Sequence, residues 1–471
     1  MQQHNLLKSI HQVSKTICII CTLLIWTLTA TAGDHIDTEK WINDGRLEST
    51  FTEIQCDKGK IFKQLSLPEV IDLALCNNPQ NRSLWATARQ QAAQVGVNTA
   101  AYFPTLSAQA NVTKNYPLSG NQAQDSYTGK SANLTVSYLL YDFGGRSSML
   151  DSAKQLLFAV NATRDATLQN NYLTVVQAYY ALLSARASVL SYKTAETLAQ
   201  ESLAAALARY QAGVATPVDK LQAQTTLSQA VFNRINAEGN ERITQGTLAN
   251  LMGFDATQNY TLQPVSESTP DPVIEQDIGK LIADARKMRP DLAAAEFQIK
   301  AAEAQLDATK ATGRPSLSLG AMAGYTDASN AQDTRFNNIG ITLNVPLFSG
   351  YKTHYQVRSS EAILETRVAE RDRLANQIAL DVWKSYQSML SYSQALRSAD
   401  DLVATADQSA KMVLGRYKAG IGNILDTLTS QSTLANAHQQ RVSALYNFLF
   451  TRFALAQAIG KLDLTHTESR N

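Results

Sequence analysis

The sequence predicts a mixed α/β membrane protein in which one structural unit occurs twice in tandem. Three observations predict this fold: an export signal, an internal repeat, and segments of period-two hydrophobicity that precede very long helices. The chain has 471 residues, with 42 Lys plus Arg and 41 Asp plus Glu, for a net charge of +1. This balance gives no support to nucleic-acid binding, which usually shows a basic excess or patch.

The amino terminus has the pattern of a secretory signal peptide. Lys8 and Lys15 precede an apolar run at 17–28, and the sequence Ala-Thr-Ala at 30–32 is a small-x-small cleavage site. We therefore predict a signal peptide over 1–32. The alternative, a short membrane anchor, is disfavoured because the apolar run is too short to span a bilayer comfortably.

The mature chain keeps two cysteines, Cys56 and Cys76. An even pair in an exported protein predicts a disulfide, because the compartment is oxidising. Closing a loop of about 20 residues adds roughly 3 kcal/mol of stability in the chain-entropy account. The alternative is a pair of free thiols.

A repeat with an offset of 207 residues runs through the mature chain. Arg209-Tyr210-Gln211-Ala212-Gly213 matches Arg416-Tyr417-Lys418-Ala419-Gly420, and four further positions match at the same offset: Asp219 and Asp426, Gln224 and Gln431, Leu227 and Leu434, Gly253 and Gly460. We predict an extension at 33–65, a first unit at 66–262, a linker at 263–276, a second unit at 277–463 and a tail at 464–471.

Each unit is predicted to begin with a helix and to continue with two strands. The segment 80–101 is rich in Ala, Gln and Arg and ends before Pro104. Apolar and small polar residues then alternate in four segments that contain no Lys, Arg, Asp or Glu: 106–113, 133–138, 317–325 and 339–345. This pattern is typical of transmembrane barrel strands. A soluble antiparallel sheet with one wet face is the alternative.

Polar loops are predicted between the paired strands, near 120–129 and 327–336. Four strands cannot close a barrel, since the smallest outer membrane barrels have eight. Unpaired strand edges in lipid cost several kcal/mol for each backbone group, so other chains must complete the sheet. This geometry predicts a homo-oligomer of two, three or four copies and does not choose among them.

A helix of unusual length is predicted after each strand pair. Residues 147–209 and 360–414 contain neither Pro nor Gly, and the first run alone would extend roughly 90 Å. Residues spaced by four and three predict packing seams: Leu168, Tyr172, Val175, Tyr179 and Leu182 in the first, and Ile378, Val382, Ser385, Met389 and Tyr392 in the second. Gly213 and Gly420 are predicted to end these helices at hairpin tips, from which second helices return to Gly253 and Gly460.

Catalytic constellations are missing from the sequence. The histidines of the mature chain are scattered, with no H-E-x-x-H pattern, and neither a phosphate-binding loop nor a G-x-S-x-G elbow occurs. We predict no enzyme activity, no cofactor and no metal site. An exported hydrolase is disfavoured because no nucleophile–base pair can be named.

Two acidic residues follow the predicted tips at the same distance. Asp219 and Asp426 each lie six residues after the tip glycine. Repeated around an oligomer, they would form a carboxylate ring that attracts cations. The alternative is a helix cap, because the first turn of a helix favours an acid by about 0.3–1 kcal/mol. The spacing leaves both interpretations open.

Several motifs resemble the TolC family of outer membrane efflux proteins. They are Tyr141-Asp142-Phe143-Gly144-Gly145-Arg146, Val345-Pro346-Leu347-Phe348-Ser349-Gly350 and the paired Arg-Tyr-x-Ala-Gly tips. The resemblance covers about 65–464, including the duplication. The two mature cysteines and the segment Ala74-Leu75-Cys76-Asn77-Asn78-Pro79 are similar to the CyaE-like branch of type I secretion components.

The resemblance implies a homotrimer with a twelve-stranded barrel that continues into a periplasmic α-helical coiled-coil barrel. It implies an exit duct in the outer membrane of a Gram-negative bacterium, docked to a periplasmic membrane-fusion adaptor and an inner-membrane ABC or RND transporter. The implied gate and constriction residues are Asp219, Tyr417, Asp426 and Tyr210, and the implied adaptor contacts are Gly213, Gly420 and Gly422.

Two positions depart from the family pattern, because Gly422 and Thr429 stand where a gate arginine and a second ring aspartate can occur. The departures imply a weaker latch and a less cation-selective mouth. The leading hypothesis is a passive exit duct for type I protein secretion or for multidrug or metal efflux. The alternative is a periplasmic coiled-coil scaffold or adaptor without a membrane barrel.

Overall fold

A computed structural model describes residues 34, 36–42, 64–116, 126–263, 277–329 and 332–462. The signal peptide, Cys56, nearly all of the predicted linker and the tail lie outside the described residues. Twelve elements follow a 3₁₀ turn at Thr38–Ile42, and they are α1 Leu67–Asn77, α2 Pro79–Ala100, β1 Thr105–Asn115, β2 Tyr127–Tyr141, α3 Gly145–Gln211, α4 Pro217–Leu251, α5 Ile278–Met288, α6 Pro290–Ala311, β3 Ser316–Ala328, β4 Thr334–Asn344, α7 Lys352–Lys418 and α8 Ile424–Ile459.

The helix predicted over 80–101 is present as α2, and a helix that was not predicted precedes it in each unit, α1 in the first and α5 in the second. Asn78 and Arg289 are extended, with ψ near 122° and 123°, because each precedes a proline. Pro79 and Pro290 then occupy the first turn of α2 and α6. The Asn78 side chain also accepts a hydrogen bond from the Gln80 N–H at 2.9 Å. The order helix, helix, strand, strand, long helix, long helix therefore occurs twice.

The four strands form one antiparallel sheet in the order β1-β2-β3-β4. The register places most of the apolar residues of the four strands on one face, where cross-strand rows include Leu106-Val136-Ala321-Ile339 and Tyr138-Leu319-Ile341, whereas Met322 and Phe336 lie on the other face. The opposite face carries small and polar rows, such as Thr105-Ser137-Gly320-Gly340 and Ser107-Thr135-Met322-Asn338. The alternation of apolar and polar residues predicted along each strand is thus in register between neighbouring strands, so that each face of the sheet has its own composition.

Both outer edges of this sheet lack a neighbouring strand in the described part of the chain. The charged strand residues cluster at the end of the sheet farthest from the helices, where Lys130 and Asp327 lie 3.7 Å apart. β3 and β4 extend into the loop predicted at 327–336, and β2 begins inside the loop predicted at 120–129. The strands are therefore longer than the uncharged cores used to recognise them.

The long helices α3 and α7 each have 67 residues, so each extends on the order of 100 Å. All five residues of the first predicted seam are buried, and several join a core with α1 that includes Val70 and Ile71. The prediction of the second seam is only partly correct. Ile378 and Val382 are buried, but Tyr386 takes the buried place predicted for Ser385, because a straight helix drifts away from a strict seven-residue repeat.

The two units differ in what their helices contact. α3 packs on α4 within its own unit and also on α8 of the second unit. In the described residues, α4 and α7 share no comparable interface. The pseudo-symmetric partner of the α3–α8 contact is therefore absent within one chain.

Candidate functional site

The two hairpins end in the same backbone turn. Gly213 and Gly420 have φ of +73° and +86°, a left-handed conformation that favours glycine. The N–H after each glycine donates to a carbonyl five residues earlier, from Val214 to Arg209 at 3.0 Å and from Ile421 to Arg416 at 3.1 Å. This is the Schellman pattern of a helix end. A side-chain carbon on either glycine would meet no atom within 4 Å, so both tips are open to solvent.

Asp219 lies in the first turn of α4 and caps it. The Thr216 N–H donates to Asp219 Oδ2 at 3.1 Å, and the Asp219 N–H donates to Thr216 Oγ1 at 3.3 Å. These reciprocal bonds form a capping box. The helix-cap interpretation is thus confirmed for Asp219, which is half-buried as a residue.

Asp426 occupies the matching position in α8 but has a different environment. The cap of α8 is Asn423, whose side chain accepts a hydrogen bond from the Leu425 N–H at 3.1 Å. Asp426 is exposed, and its carboxylate has no hydrogen bond or ion pair among the described residues. Its charge is therefore available to ions in solution.

The two tyrosines that match in the repeat also differ. Tyr417 is 2% exposed and packs with Ala206, Ala223, Ile424 and Leu428. Tyr210 is 40% exposed, and the Lys220 ammonium lies 5.7 Å from its ring centroid. Only the tyrosine of the second tip is part of a core.

Arg209 holds Tyr417 in place. Its Nη1 donates to the Tyr417 carbonyl oxygen at 2.7 Å, and its guanidinium carbon lies 4.6 Å from the centroid of the tyrosine ring. Burial raises the pKa of Tyr417; the charge of Arg209 opposes this, and that of Asp219 adds to it. The Tyr417 hydroxyl has no hydrogen-bond partner among the described residues. No hydrogen bond therefore joins the side chains of Asp219 and Tyr417, two of the predicted gate residues.

The sequence reasoning did not identify Arg209 as a site residue. The repeated Arg-Tyr motif marked the tips, but both copies contain the same two residues, so the sequence alone does not say which arginine contacts which tyrosine. That depends on how α3 packs on α8. Two further contacts join the units here: Lys418 forms an ion pair with Glu201, and Gln431 Nε2 donates to Ser202 Oγ at 2.8 Å.

Gly422 has a packing role at the second tip. A side-chain carbon at this position would lie 2.9 Å from the Tyr417 backbone nitrogen and 3.1 Å from its Cα. Any larger residue would push the turn away from Tyr417. Thr429 is exposed in α8, three residues after Asp426.

Cys76 is disulfide-bonded. Its predicted partner, Cys56, lies outside the described residues, so this pairing stays a prediction. Among the residues that the structure describes, no three His, Cys, Asp or Glu side chains are grouped as a metal site requires.

Comparisons with known proteins agree with this architecture. The sequence model of the outer membrane efflux protein family matches residues 70–254 and 281–461, which lie within the two predicted units. Protein CyaE of Bordetella pertussis is 27% identical over 403 residues, covering 84% of each chain. Outer membrane protein TolC of Vibrio cholerae is 24% identical and covers 84% of this chain and 91% of its own.

Solved structures show the same fold. A structure of CusC superposes with a TM-score of 0.74 at 18% identity, covering 86% of this chain and 96% of the other. The outer membrane protein VceC from Vibrio cholerae superposes with a TM-score of 0.72 at 20% identity, covering 84% of this chain and 96% of the other. The four-stranded sheet and the long helical hairpins therefore belong to a fold already known from outer membrane channels.

Proposed function

The chain belongs to the outer membrane efflux protein family, and from this premise we propose that it forms the passive exit duct of a tripartite export system. In this proposal three copies complete a twelve-stranded barrel, and their helices form a tunnel that closes at the hairpin tips. The duct has no catalytic role of its own, and the energy for transport comes from a partner transporter.

The observation that carries the proposal is the sheet. One face is apolar along its rows, the other is small and polar, and both outer edges are unpaired in the described part of the chain. Such a sheet suits lipid on one side and water on the other, but only when its edges are paired. Together with family membership, this favours a membrane barrel over the alternative of a periplasmic scaffold.

The tips support a gating role. Arg209, Tyr417 and the Glu201–Lys418 ion pair hold the second tip against α3. We propose Asp219, Tyr417, Asp426 and Tyr210 as the gate and constriction residues, with Arg209 added to them.

The tips also support docking of a periplasmic membrane-fusion adaptor. Beside the two exposed glycines, each tip presents an exposed apolar pair, Val214 with Val218 and Ile421 with Leu425. We propose these pairs, with Gly213 and Gly420, as the adaptor contact, while Gly422 serves the packing of Tyr417. The inner-membrane partner in this proposal is an ABC or RND transporter, and the cargo is a secreted protein, a drug or a metal ion.

Single-channel recording tests the duct. The protein purified from outer membranes is reconstituted in a planar bilayer, and its mass is measured in detergent. We expect a trimeric mass and discrete conductance steps. A monomeric protein that never produces such steps would contradict the proposal.

A further inference from the structure

The charged residues of the described strands all lie on the apolar face of the sheet. They are Lys114 of β1, Lys130 of β2, Asp327 of β3 and Arg335 of β4. The pairing register places them in the rows of that face, which include Val112-Lys130-Asp327 and Ala110-Ala132-Tyr325-Arg335. The polar face has no Lys, Arg, Asp or Glu within the same strands. Charge is therefore confined to the side that the proposed barrel turns toward lipid.

These charges lie about one hydrocarbon thickness from the opposite end of the same face. On β3, Leu317 is near the helices and Asp327 lies ten residues further on. Ten residues of antiparallel strand extend about 34 Å, which is about 26 Å across a membrane at a tilt of about 40°. The apolar band of an outer membrane barrel is about 25 Å tall. The charges are thus level with lipid headgroups at the end of the sheet farthest from the helices, which we call the distal end.

Two tyrosines accompany the basic residues at the distal end. The Lys114 ammonium lies 5.5 Å from the ring centroid of Tyr116, and the Arg335 guanidinium carbon lies 5.8 Å from that of Tyr325. Tyrosine is enriched where a membrane meets water, because its ring is apolar and its hydroxyl is polar. The tyrosines therefore support the headgroup level that the strand length gives.

Positive charge exceeds what the neighbouring acids neutralise. Asp327 lies 3.7 Å from Lys130, and Asp333, just before β4, accepts a hydrogen bond from the Tyr325 hydroxyl at 2.7 Å. Lys114 and Arg335 are exposed, and neither has an ion pair with another of the described residues. Their two charges are available to an anionic partner.

The arginines at the other end of the sheet are used differently. Arg146 donates to the carbonyl oxygens of Ala101 and Leu140, at 3.3 and 3.2 Å, and Arg314 donates to that of Phe143 at 3.0 Å. These side chains join the strands to the adjoining helices and turns. The distal basic residues have no such backbone acceptor among the described residues, so a role in holding the fold does not account for them.

Charges that only kept the strand ends in water would suit either face of the sheet. The polar-face neighbours of Lys114 and Arg335 in the sequence are Thr113 and Thr334, which are exposed as well. Restriction of the charges to the apolar face therefore points to a partner on that side. In a membrane barrel that partner is lipid, and Lys and Arg are complementary to anionic headgroups.

We propose that Lys114, Lys130 and Arg335 bind the phosphate groups of the phosphorylated glycolipid of the outer leaflet. The inference rests on the proposed function, since it needs the apolar face in lipid and the helices in the periplasm. In the closed barrel, β4 of one copy lies beside β1 of the next, so Arg335 and Lys114 come to one seam at the same end. Like charges on adjacent strands repel, and a phosphate between them removes that cost.

A charge swap tests the choice of face. The purified trimer in neutral detergent is titrated with lipopolysaccharide, and bound phosphorus per trimer gives an apparent Kd. The variant moves two positive charges to the polar face without changing composition or net charge, by Thr113→Lys, Lys114→Thr, Thr334→Arg and Arg335→Thr. We expect the Kd to rise about thirtyfold, at about fivefold for each charge near an anionic surface. An unchanged Kd would overturn the inference.

Two control variants make the result specific. Lys280→Gln with Arg286→Gln and Lys287→Gln removes three exposed charges from α5, away from the sheet, and should leave the Kd unchanged. Lys114→Arg with Arg335→Lys keeps both charges on the apolar face and should also bind normally. If the fourfold swap is not recovered in membranes, each single swap tests one charge and should weaken binding about fivefold.

The source of the phosphate is tested with two further probes. Lipopolysaccharide stripped of its phosphates should bind the unsubstituted trimer weakly, and the swap should not weaken it further. Phosphatidylglycerol vesicles should bind with an affinity that the swap leaves unchanged. If the swap weakens binding of phosphatidylglycerol as much as that of lipopolysaccharide, the assignment to the outer-leaflet glycolipid is wrong.

The outcome separates this inference from the proposed function. A swapped protein that remains a conducting trimer and binds lipopolysaccharide as before would overturn the lipid site and leave the duct intact. Absence of trimers and of conductance in the unsubstituted protein would overturn the duct itself.

Discussion

The two hairpin tips have the same backbone and nearly the same motif, but they are held differently. At the second tip Tyr417 is buried and held by Arg209 of the first unit, whereas at the first tip Tyr210 is exposed, and Arg416 of the second unit, which corresponds to Arg209, is exposed as well. Within one chain, the two copies of the repeat therefore make different contacts. Within one chain, Arg209 of the first tip thus holds Tyr417 of the second tip, and we call this contact the latch.

The largest expected effect comes from removing the buried ring. Tyr417→Ala should cost about 3–5 kcal/mol of local packing, as truncation of a large core aromatic does. The second tip should then open more often, with higher mean conductance in a planar bilayer and faster hydrogen exchange over 412–430. Unchanged conductance and exchange would show that burial of this ring does not hold the tip.

Tyr210→Ala is the matched control for this variant. It removes the same side chain at the same repeat position, but from a site that is exposed in the single chain, so its effect on the packing within that chain should stay within about 0.5 kcal/mol. Equal effects of the two variants would contradict the difference between the tips.

The next effect in size comes from the arginine that clamps Tyr417. Arg209→Ala removes a charged hydrogen bond to a backbone carbonyl, an interaction worth about 1.5–3 kcal/mol. Because 1.4 kcal/mol is tenfold in an equilibrium constant, the open fraction should rise about tenfold or more. The measurement is single-channel open probability.

Arg416→Ala is the corresponding control, since this side chain is exposed and the structure gives it no role in holding a tyrosine of its own chain. Its open probability should remain close to that of the unsubstituted channel. A larger effect from Arg416 than from Arg209 would reverse the assignment of the latch.

Much of this fold could be predicted from residue patterns. Alternation identified the four strands, the absence of Pro and Gly identified α3 and α7, and the paired glycines located both tips to the residue. These features depend on local chemistry. The 207-residue offset then showed that every feature should occur twice.

The difference between the copies could not be predicted in this way. A repeat in sequence implies equivalent residues, but equivalence is lost because α3 contacts α8 in its own chain while α7 has no such partner there. The burial of Tyr417 rather than Tyr210, and the choice of Arg209 rather than Arg416, follow from that long-range packing. The helix break at Pro79 was readable in principle from the proline at a first-turn position.

A smaller effect is expected from the ion pair between the units. Lys418 and Glu201 are both nearly half exposed, so their attraction is screened and worth about 0.2–1 kcal/mol. Lys418→Gln, which creates the residue found at the matching position 211, should raise the open probability slightly at low salt. The effect should vanish at about 1 M salt, where the Debye length is about 3 Å.

The double variant Glu201→Lys with Lys418→Glu checks the assignment. It reverses both charges and should restore the low-salt open probability. If instead the effect of the double variant equals the sum of the effects of the two single variants, the two side chains act independently, and the ion pair does not hold the tip.

The smallest effect on stability is expected from Asp219 and Asp426, the two aspartates that follow the tips. The contrast between the copies should appear instead in ion selectivity. Asp426 is exposed and unbridged among the described residues, so Asp426→Asn should change stability by less than about 0.5 kcal/mol while lowering cation preference, measured as reversal potential in a salt gradient. Asp219→Asn weakens a cap instead, so it should loosen the start of α4 in hydrogen exchange and shift the reversal potential less. Equal shifts in reversal potential would mean that both carboxylates face the permeating ions, and that capping does not withdraw Asp219 from the ring.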